Sequence, residues 1–274
     1  MRLLALDIDG TLLGRDKRVS QRTQAALGAA LERGVRLLLV TGRRPPAARR
    51  VADQIAPDLP MVLNNGALLI ENGAIIRRRP LAGALAREAI AVGKACAADP
   101  VVHSGHNGEG RLLVEASAPG HTLRAYYIDS SNPAITAFER LDAAIVEDPV
   151  QVMFGGPIEA MDTLLPRLQA ALGDAVNIER TIYPALGMSL IDVMAAGVAK
   201  GEAVRFFEER WGLTAQGTLA IGDNWNDRGM LEGAGLGFVM GNADPAMHRL
   251  GLPVLPSNEE DGVAVAIEEY VLAK

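Results

Sequence analysis

Short apolar runs alternate with amphipathic stretches along the first part of the chain. The run Leu3–Leu6 ends at Asp7, a helical pattern covers residues 20–32, and the run 35–40 ends at Thr41. A helix over residues 45–55 and a strand Met61–Leu63, which runs into Asn64-Asn65-Gly66, continue the alternation. Strands that are apolar on both faces and alternate with helices predict a parallel sheet covered by helices.

The pattern changes between residues 81 and 185 and then returns. The middle block predicts helices over 85–97, 134–144 and 158–172, strands over 111–115, 125–128 and 150–154, and a loop over 103–110. Buried strands over 189–193, 218–221 and 236–239, with helices over 200–211, 226–231 and 259–272, follow it. We therefore expect an α/β fold whose Rossmann-like parallel-sheet core is split into residues 1–80 and 186–274, with an inserted α+β domain over 81–185.

Two carboxylates, Asp7 and Asp9, leave the first strand together and are followed by Gly10 and Thr11. Ionised carboxylates beside a core repel each other, and a hard divalent cation would relieve the repulsion. A calcium loop is disfavoured because Leu12 and Arg18 stand where that loop needs glycine and glutamate. A turn with capping aspartates explains this pair alone about as well as a cation does.

A second acidic loop shifts the balance towards a cation. The strand 218–221 delivers Asp223 and Asp227 to the same expected sheet edge, where ligands of such folds bind. Magnesium at this edge would keep several waters and accept an oxygen from a substrate phosphate. Phosphate-binding donors are offered by Thr41, by the backbone N–H groups of Gly42 and Arg43, and by Lys200. A metal, donors and a spare carboxylate together predict phosphoryl transfer.

Composition and charge limit the classes of molecule that the protein is expected to bind. The net charge of −6 is dispersed over 274 residues, which disfavours nucleic acid and anionic membranes. The hydrophobic 49% lies in short runs, and Asp7 and Asp9 interrupt the only candidate for a signal-peptide core. The single cysteine, Cys96, fits a reducing compartment. We expect a cytoplasmic protein that acts on a small phosphorylated metabolite, and its oligomeric state is not readable from the sequence.

Four segments resemble, in content and order, the four motifs of the haloacid dehalogenase (HAD) superfamily. They are Asp7-Ile8-Asp9-Gly10-Thr11, then Thr41, then Lys200, then the run from Gly222 to Asp227. The runs Asn64-Asn65-Gly66-Ala67 and Met240-Gly241-Asn242-Ala243 are similar to those of the Cof-type subfamily. That subfamily carries a class IIB cap domain between the second and third motifs, so the resemblance implies that the inserted block is a specificity cap.

The resemblance also implies roles for individual residues. Asp7 would be the nucleophile and a metal ligand, Asp9 the general acid/base with its carbonyl on the metal, and Asp223 the third protein ligand of Mg²⁺. Thr41 and Lys200 would bind the phosphoryl group. Substrate contacts would come from Gly42, Arg43, Asn65, Gly66 and Asn226, and Asp227 would support the metal and phosphate without belonging to the first ligand set.

Three functions remain open at this point. Hydrolysis of small phosphate monoesters leads, with sugar phosphates as the first choice and flavin mononucleotide or pyridoxal phosphate as side substrates by resemblance. A phosphosugar mutase is the alternative, and a sensor of phosphorylated ligands is disfavoured because binding alone needs no nucleophile such as Asp7. His103 and His106 are expected in an exposed polar loop.

Overall fold

The computed structural model describes residues 1–105, 108–116 and 135–273. Its contacts divide the chain into two units. One comprises Met1–Arg43, Ala47–Arg77 and Ala199–Lys274, and the other comprises Arg44–Pro46 and Arg78–Val198. Over the described ranges, no helix combines the length and the apolar character needed to cross a membrane.

Thirteen strands and seven α-helices are described. The strands are β1 (Leu3–Leu6), β2 (Arg36–Val40), β3 (Met61–Leu63), β4 (Leu68–Glu71), β5 (Ala74–Arg78), β6 (Pro100–Ser104), β7 (Arg111–Glu115), β8 (Ile135–Phe138), β9 (Gln151–Pro157), β10 (Val176–Tyr183), β11 (Met188–Ala195), β12 (Thr218–Gly222) and β13 (Leu236–Val239). The helices are α1 (Gln21–Glu32), α2 (Pro45–Ala52), α3 (Gly83–Ala95), α4 (Ile158–Leu172), α5 (Lys200–Arg210), α6 (Arg228–Gly233) and α7 (Gly262–Ile267).

The first unit is built on a seven-stranded sheet in the order β13-β12-β1-β2-β3-β4-β5. Strand β1 lies between β2 and β12 and is parallel to both, with Leu4 opposite Leu37 and Leu219. All four residues of β1 are buried, as expected for a strand covered on both faces. Because β1, β2 and β12 are parallel neighbours, the loops that follow them emerge at the same edge of the sheet.

Helix α1 follows the sequence prediction at both ends. The Ser20 hydroxyl accepts a hydrogen bond from the N–H of Thr23 at 3.1 Å, so Ser20 is the N-cap. Gly34, just after the helix, has a left-handed backbone with φ of 77°. The helix predicted over residues 20–32 is therefore confirmed, with Ser20 at its start and Gly34 just after its end.

The second unit is built on a mostly antiparallel six-stranded sheet in the order β10-β11-β9-β6-β7-β8. Helices α3 and α4 cover one face of this sheet, and Ile90, Leu164 and Phe154 share its apolar core. A Cβ atom at Gly93 would lie 2.1 Å from Cε1 of Phe154, so helix α3 can approach β9 this closely only through glycine.

One predicted boundary is wrong. The sequence pattern predicts that residues 189–193 belong to the returning core, but they lie in β11, which pairs with β9 and β10 of the second sheet. The second unit therefore extends to Val198, not to residue 185. Ile191 packs towards the helices, whereas Leu190 packs in a second apolar cluster on the other face, so β11 has the both-sides-apolar pattern of a parallel core strand.

Other differences fall in both units. Residues 135–138 form strand β8, parallel to β7, where a helix over 134–144 was predicted; the β-branched and aromatic residues of Ile-Thr-Ala-Phe favour a strand. The predicted strand 125–128 and His106 lie outside the described residues. Strands β4 and β5 were missed, although Asn72-Gly73, with φ of 50° and 73°, is a sequence signal for a hairpin turn.

Candidate active site

Two acidic loops come together at the carboxyl ends of β1 and β12. Asp7 follows β1, and its N–H donates to the carbonyl of Ile221 at 3.0 Å. Asp223 follows β12. One carboxylate oxygen from each of Asp7, Asp223 and Asp227 lies within 4.8 Å of the others, and all three residues are buried. Three of the four aspartates that the sequence predicts at one sheet edge are thus neighbours in space.

Glycines make this close approach possible. Gly10 has φ of 77°, and a Cβ atom there would lie 2.1 Å from Oδ2 of Asp223. A Cβ atom at Gly222 would lie 2.5 Å from Cγ of Asp227. The Thr11 hydroxyl donates to Oδ1 of Asp223 at 3.3 Å. The loop after β1 therefore packs directly on the carboxylate that the loop after β12 presents.

Lys200, the first residue of α5, is inserted between two of these carboxylates. Its Nζ donates to Oδ1 of Asp7 at 2.7 Å and to Oδ1 of Asp227 at 2.6 Å, and the side chain is 1% exposed. Oδ2 of Asp227 accepts the backbone N–H groups of Asp223 and Asn224, each at 3.0 Å. Asp227 thus holds both the lysine and its own loop.

The electrostatics of the cluster show an excess of negative charge. Burial, with the charges of Asp227 and Asp9, raises the pKa of Asp7 to about 7 although Lys200 opposes the rise. Burial and then the charge of Asp7 raise the pKa of Asp223 well above its usual range. Burial alone would lower the pKa of Lys200, but Asp227 and Asp7 outweigh it and raise that pKa. One lysine does not neutralise three buried carboxylates.

A divalent cation fits this donor set. The three side chains offer only oxygen ligands, which Mg²⁺ prefers, and a bound cation would favour the ionised form of each carboxylate. Asp7 and Asp223 are common to the predicted metal ligands and to the geometric cluster. The predicted third ligand, Asp9, was expected to act through its carbonyl, and its carboxylate is turned to Arg43 and not to the cluster.

The guanidinium of Arg43 forms a bidentate ion pair with the carboxylate of Asp9. Nε donates to Oδ2 at 2.6 Å and Nη2 donates to Oδ1 at 2.5 Å, and the pair is partly exposed. The N–H of Arg43 donates to Oγ1 of the buried Thr41 at 3.1 Å. A planar fork that binds a carboxylate in this way has the geometry that binds a phosphate.

The turn Asn64–Gly66 contacts three segments of the site. Asn65 donates its N–H to the carbonyl of Thr41 at 3.0 Å, and its Oδ1 accepts Nδ2 of Asn226 at 3.0 Å. A Cβ atom at Gly66 would lie 2.7 Å from the carbonyl oxygen of Ala199, the residue before Lys200. The structure thus brings Asn65, Gly66 and Asn226 to the same place as Thr41 and Gly42.

Sequence reasoning gave no role to Asn242 and Asn258. Nδ2 of Asn242 donates to the carbonyl of Gly10 at 2.8 Å, and its Oδ1 accepts the N–H of Asn258 at 2.9 Å. Nδ2 of Asn258 donates to the carbonyl of Leu13 at 2.7 Å. The two amides hold the loop after the first acidic pair, and the motif Met240–Ala243 was the available signal for one of them.

His103 is not in an exposed loop. It lies in β6 opposite Gln151 and is 2% exposed. Burial, and next the positive charge of Arg44, lower the pKa of His103 to about 3. It belongs to the second unit and not to the cluster around Asp7.

Comparison with known proteins identifies the family. The model of haloacid dehalogenase-like hydrolases matches residues 4–267. The chain belongs to this family. Among similar proteins, pyridoxal phosphate phosphatase YbhA of Escherichia coli K12 is 28% identical over 99% of each chain. An HMP-PP phosphatase of Serratia proteamaculans is 29% identical over 98% of this chain and 95% of its own length.

The same fold is seen in solved structures of HAD proteins. The subclass IIB sugar phosphatase BT4131 superposes with a TM-score of 0.81 at 22% identity, covering 98% of this chain and 99% of its own. The resemblance to Cof-type HAD proteins and the predicted α/β fold class are thus confirmed. The chain is a HAD hydrolase, and the relatives that it matches over nearly their full length are named as phosphatases.

Proposed function

We propose that this HAD hydrolase is a Mg²⁺-dependent phosphatase that hydrolyses small phosphate monoesters through a phosphorylated Asp7. The class of reaction follows from the family and from the phosphatases among its relatives. The observation that carries the mechanism is the buried carboxylate of Asp7 held at 2.7 Å by Lys200 beside two further carboxylates. A nucleophile, a fixed cation and an oxygen-lined site for a second cation are the components that phosphoryl transfer requires.

In the first step, a carboxylate oxygen of Asp7 attacks the phosphorus, and the bond from phosphorus to the leaving-group oxygen breaks. That oxygen takes a proton from Asp9. In the second step, water attacks the phosphorus of the acyl phosphate, Asp9 takes the proton of the water, and inorganic phosphate leaves Asp7 as a free carboxylate. Asp7 and Asp9 are thereby returned to their starting states.

The remaining residues bind the phosphoryl group. The Thr41 hydroxyl and the N–H of Gly42 supply neutral donors, and Lys200 supplies positive charge. Arg43 is held by Asp9 in the free protein. A substrate phosphoryl group is a competing acceptor for the same fork, so its arrival would release the Asp9 carboxylate, which takes up a proton from solvent before it acts as the acid of the first step. Mg²⁺, held by Asp7 and Asp223 with the carbonyl of Asp9, would neutralise charge on the transferred group.

The second unit, over residues 78–198, is part of this proposal as the cap that selects the leaving group. The relatives named for pyridoxal phosphate and for HMP-PP suggest that substrates differ widely in this family. Sugar phosphates remain our first choice for this chain. A cytoplasmic location and a small metabolite as partner complete the proposal.

Phosphate release from a broad metabolite panel tests it. With Mg²⁺, the purified protein should hydrolyse p-nitrophenyl phosphate and several sugar phosphates, and EDTA should abolish this activity. Asp7→Asn should be inert, whereas Asp58→Asn, which changes an exposed aspartate of the same unit, should retain wild-type rates. With substrate labelled in its phosphoryl group, the label should remain on the wild-type protein after an acid quench. Hydroxylamine, which cleaves acyl phosphates, should release it. Lack of turnover across the panel would refute the proposal, and isomerised sugar phosphate without free phosphate would favour a mutase.

A further inference from the structure

The segment after β1 that carries Asp9 closes on itself. The N–H groups of Leu12 and Leu13 both donate to the carbonyl of Ile8 at 3.0 Å, and Leu13 pairs with Asp9 in an isolated β-bridge. Gly10, within this closed segment, has a left-handed backbone with φ of 77°. Because Leu13 is joined to Asp9 by the bridge and to the preceding residue by a hydrogen bond, a shift of Leu13 is transmitted to Asp9.

Two asparagines from the last part of the chain hold this segment from outside. Nδ2 of Asn242 donates to the carbonyl of Gly10 at 2.8 Å, and Nδ2 of Asn258 donates to the carbonyl of Leu13 at 2.7 Å. The N–H of Asn258 also donates to Oδ1 of Asn242 at 2.9 Å, so the two residues form one connected asparagine clamp. Asn258 therefore holds the segment directly at Leu13 and, through Asn242, at Gly10.

The asparagine clamp is tied to the sheet on its other side. The N–H of Met240 donates to the carbonyl of Gly222, the last residue of β12, at 3.0 Å. A Cβ atom at Gly241 would lie 2.8 Å from the carbonyl oxygen of Leu255, so the stretches that precede the two asparagines pack closely on each other. The clamp thus links the segment after β1 to the end of the strand from which Asp223 emerges.

We propose that Asn258 is a positioning residue for Asp9, which it holds in place through Leu13 and, by way of Asn242, through Gly10. This inference rests on the proposed phosphatase function, in which Asp9 gives a proton to the leaving group and takes one from water. Asn258 has no chemical step of its own. Proton transfer requires a donor within hydrogen-bond reach of the acceptor, so it depends on the place in which the segment is held.

The nucleophile is held independently of the clamp. The N–H of Asp7 donates to the carbonyl of Ile221 at 3.0 Å, and Lys200 binds its carboxylate at 2.7 Å. Loss of the clamp should therefore spare the attack of Asp7 on phosphorus and impair the transfers through Asp9. In the first step, a leaving group that is stable as an anion departs without a proton. In the second step, the attacking water needs Asp9 as base for every substrate.

Two aryl phosphates of similar size form a matched pair of probes. The p-nitrophenolate anion leaves without a proton, whereas the more basic p-methoxyphenolate needs the proton of Asp9. General acid catalysis contributes about 10²–10⁴-fold, so its partial loss in Asn258→Ala should lower kcat/KM for p-methoxyphenyl phosphate by roughly tenfold relative to p-nitrophenyl phosphate at saturating Mg²⁺. For the nitro ester, kcat and KM should fall together, and more phosphorylated protein should be trapped by an acid quench.

Two further variants complete the comparison. Asn242→Ala changes an exposed residue and removes the bond to Gly10, so it should reproduce the same dependence on the leaving group. Gln24→Ala is the matched control. Gln24 is half-buried like Asn258, lies in the same unit, and donates Nε2 to the backbone carbonyl of Val19 at 2.8 Å. It should keep the wild-type ratio of kcat/KM values and the wild-type kcat.

Amide hydrogen exchange in EDTA tests the clamp without metal or turnover. The N–H groups of Leu12 and Leu13, which are bonded within the closed segment, should exchange faster in Asn258→Ala than in the wild-type protein. Gln24→Ala should leave their exchange unchanged. Unchanged exchange in Asn258→Ala would contradict the role of the clamp.

The kinetic outcomes are distinguishable. An unchanged ratio of kcat/KM values in Asn258→Ala would overturn the inference, whether both values stay at the wild-type level or fall equally, since an equal fall indicates a general loss of structure. If Asn258→Ala does not fold, the ratio in Asn242→Ala decides in the same way. Failure of the wild-type protein to hydrolyse p-nitrophenyl phosphate would instead contradict the phosphatase proposal.

Discussion

Replacement of Gly10 by alanine tests the close packing of the two acidic loops. A Cβ atom at this position would lie 2.1 Å from Oδ2 of Asp223, whereas real contacts are almost never shorter than 3.0 Å. The carboxylate or the loop would therefore have to move by about 0.9 Å. Misplacement of a catalytic group by about 1 Å can cost roughly a hundredfold in rate. We expect kcat/KM to fall by about that factor and the affinity for Mg²⁺ to fall with it.

Gly34→Ala provides a matched control. Gly34 has the same φ of 77° as Gly10, and a Cβ atom there would meet nothing within 4 Å. Both substitutions introduce about 1–2 kcal/mol of left-handed backbone strain. Each should lower the melting temperature by roughly 2–8 °C, but only Gly10→Ala should lose activity.

Steady-state kinetics with p-nitrophenyl phosphate over a range of Mg²⁺ concentrations, with thermal unfolding in EDTA, separates strain from displacement. Wild-type kcat/KM and Mg²⁺ affinity in Gly10→Ala would refute the contact between the two loops. Equal loss of activity in both variants would show that strain, and not the displaced carboxylate, is responsible.

Three further predictions follow from the charges. Lys200→Met leaves two buried carboxylates uncompensated and should lower the free energy of unfolding by about 3–5 kcal/mol in urea titrations with EDTA, while abolishing turnover; wild-type stability would contradict this. Asp223→Asn should lose Mg²⁺ activation yet melt at a higher temperature in EDTA at pH 8, because burial and repulsion raise the pKa of Asp223 in the fold. Burial lowers the pKa of His103 to about 3 in the folded protein. The contribution of neutral His103 to the free energy of unfolding is therefore complete above about pH 6.5 and is lost on acidification. Between pH 8 and pH 5 the free energy of unfolding, measured by urea titration, should fall by about 2 kcal/mol because of this histidine. His103→Gln should not show this fall, whereas the control variant His248→Gln should keep it.

The first unit was largely predictable because its strands are buried on both faces. Leu3–Leu6 has no exposed position, so its apolar run indicates a central strand without any three-dimensional information. The acidic loops were predictable for a related reason, since polar residues directly after such strands lie at one sheet edge. The same pattern misled at β11, where the two faces are covered by different clusters of an antiparallel sheet.

The pairings within the site could not be predicted. The sequence does not reveal that Lys200 is inserted between Asp7 and Asp227, or that Arg43 holds Asp9, because these bonds depend on side-chain directions at the ends of separate elements. The amide pair at the turn after β3 has the same origin. The residue types indicate the chemistry of the site. Which side chains bond to each other depends on how the loops pack.

The position of β1 between β2 and β12 also has a consequence for biosynthesis. Thr11 and Asp223, which are bonded in the site, lie 212 residues apart in the chain. Until β12 leaves the ribosome, the apolar strand Leu3–Leu6 has one unpaired edge, and such edges invite association with other chains. Strand β1 is therefore synthesised long before the neighbour that completes its pairing, so its apolar edge would stay open to other chains during much of the synthesis.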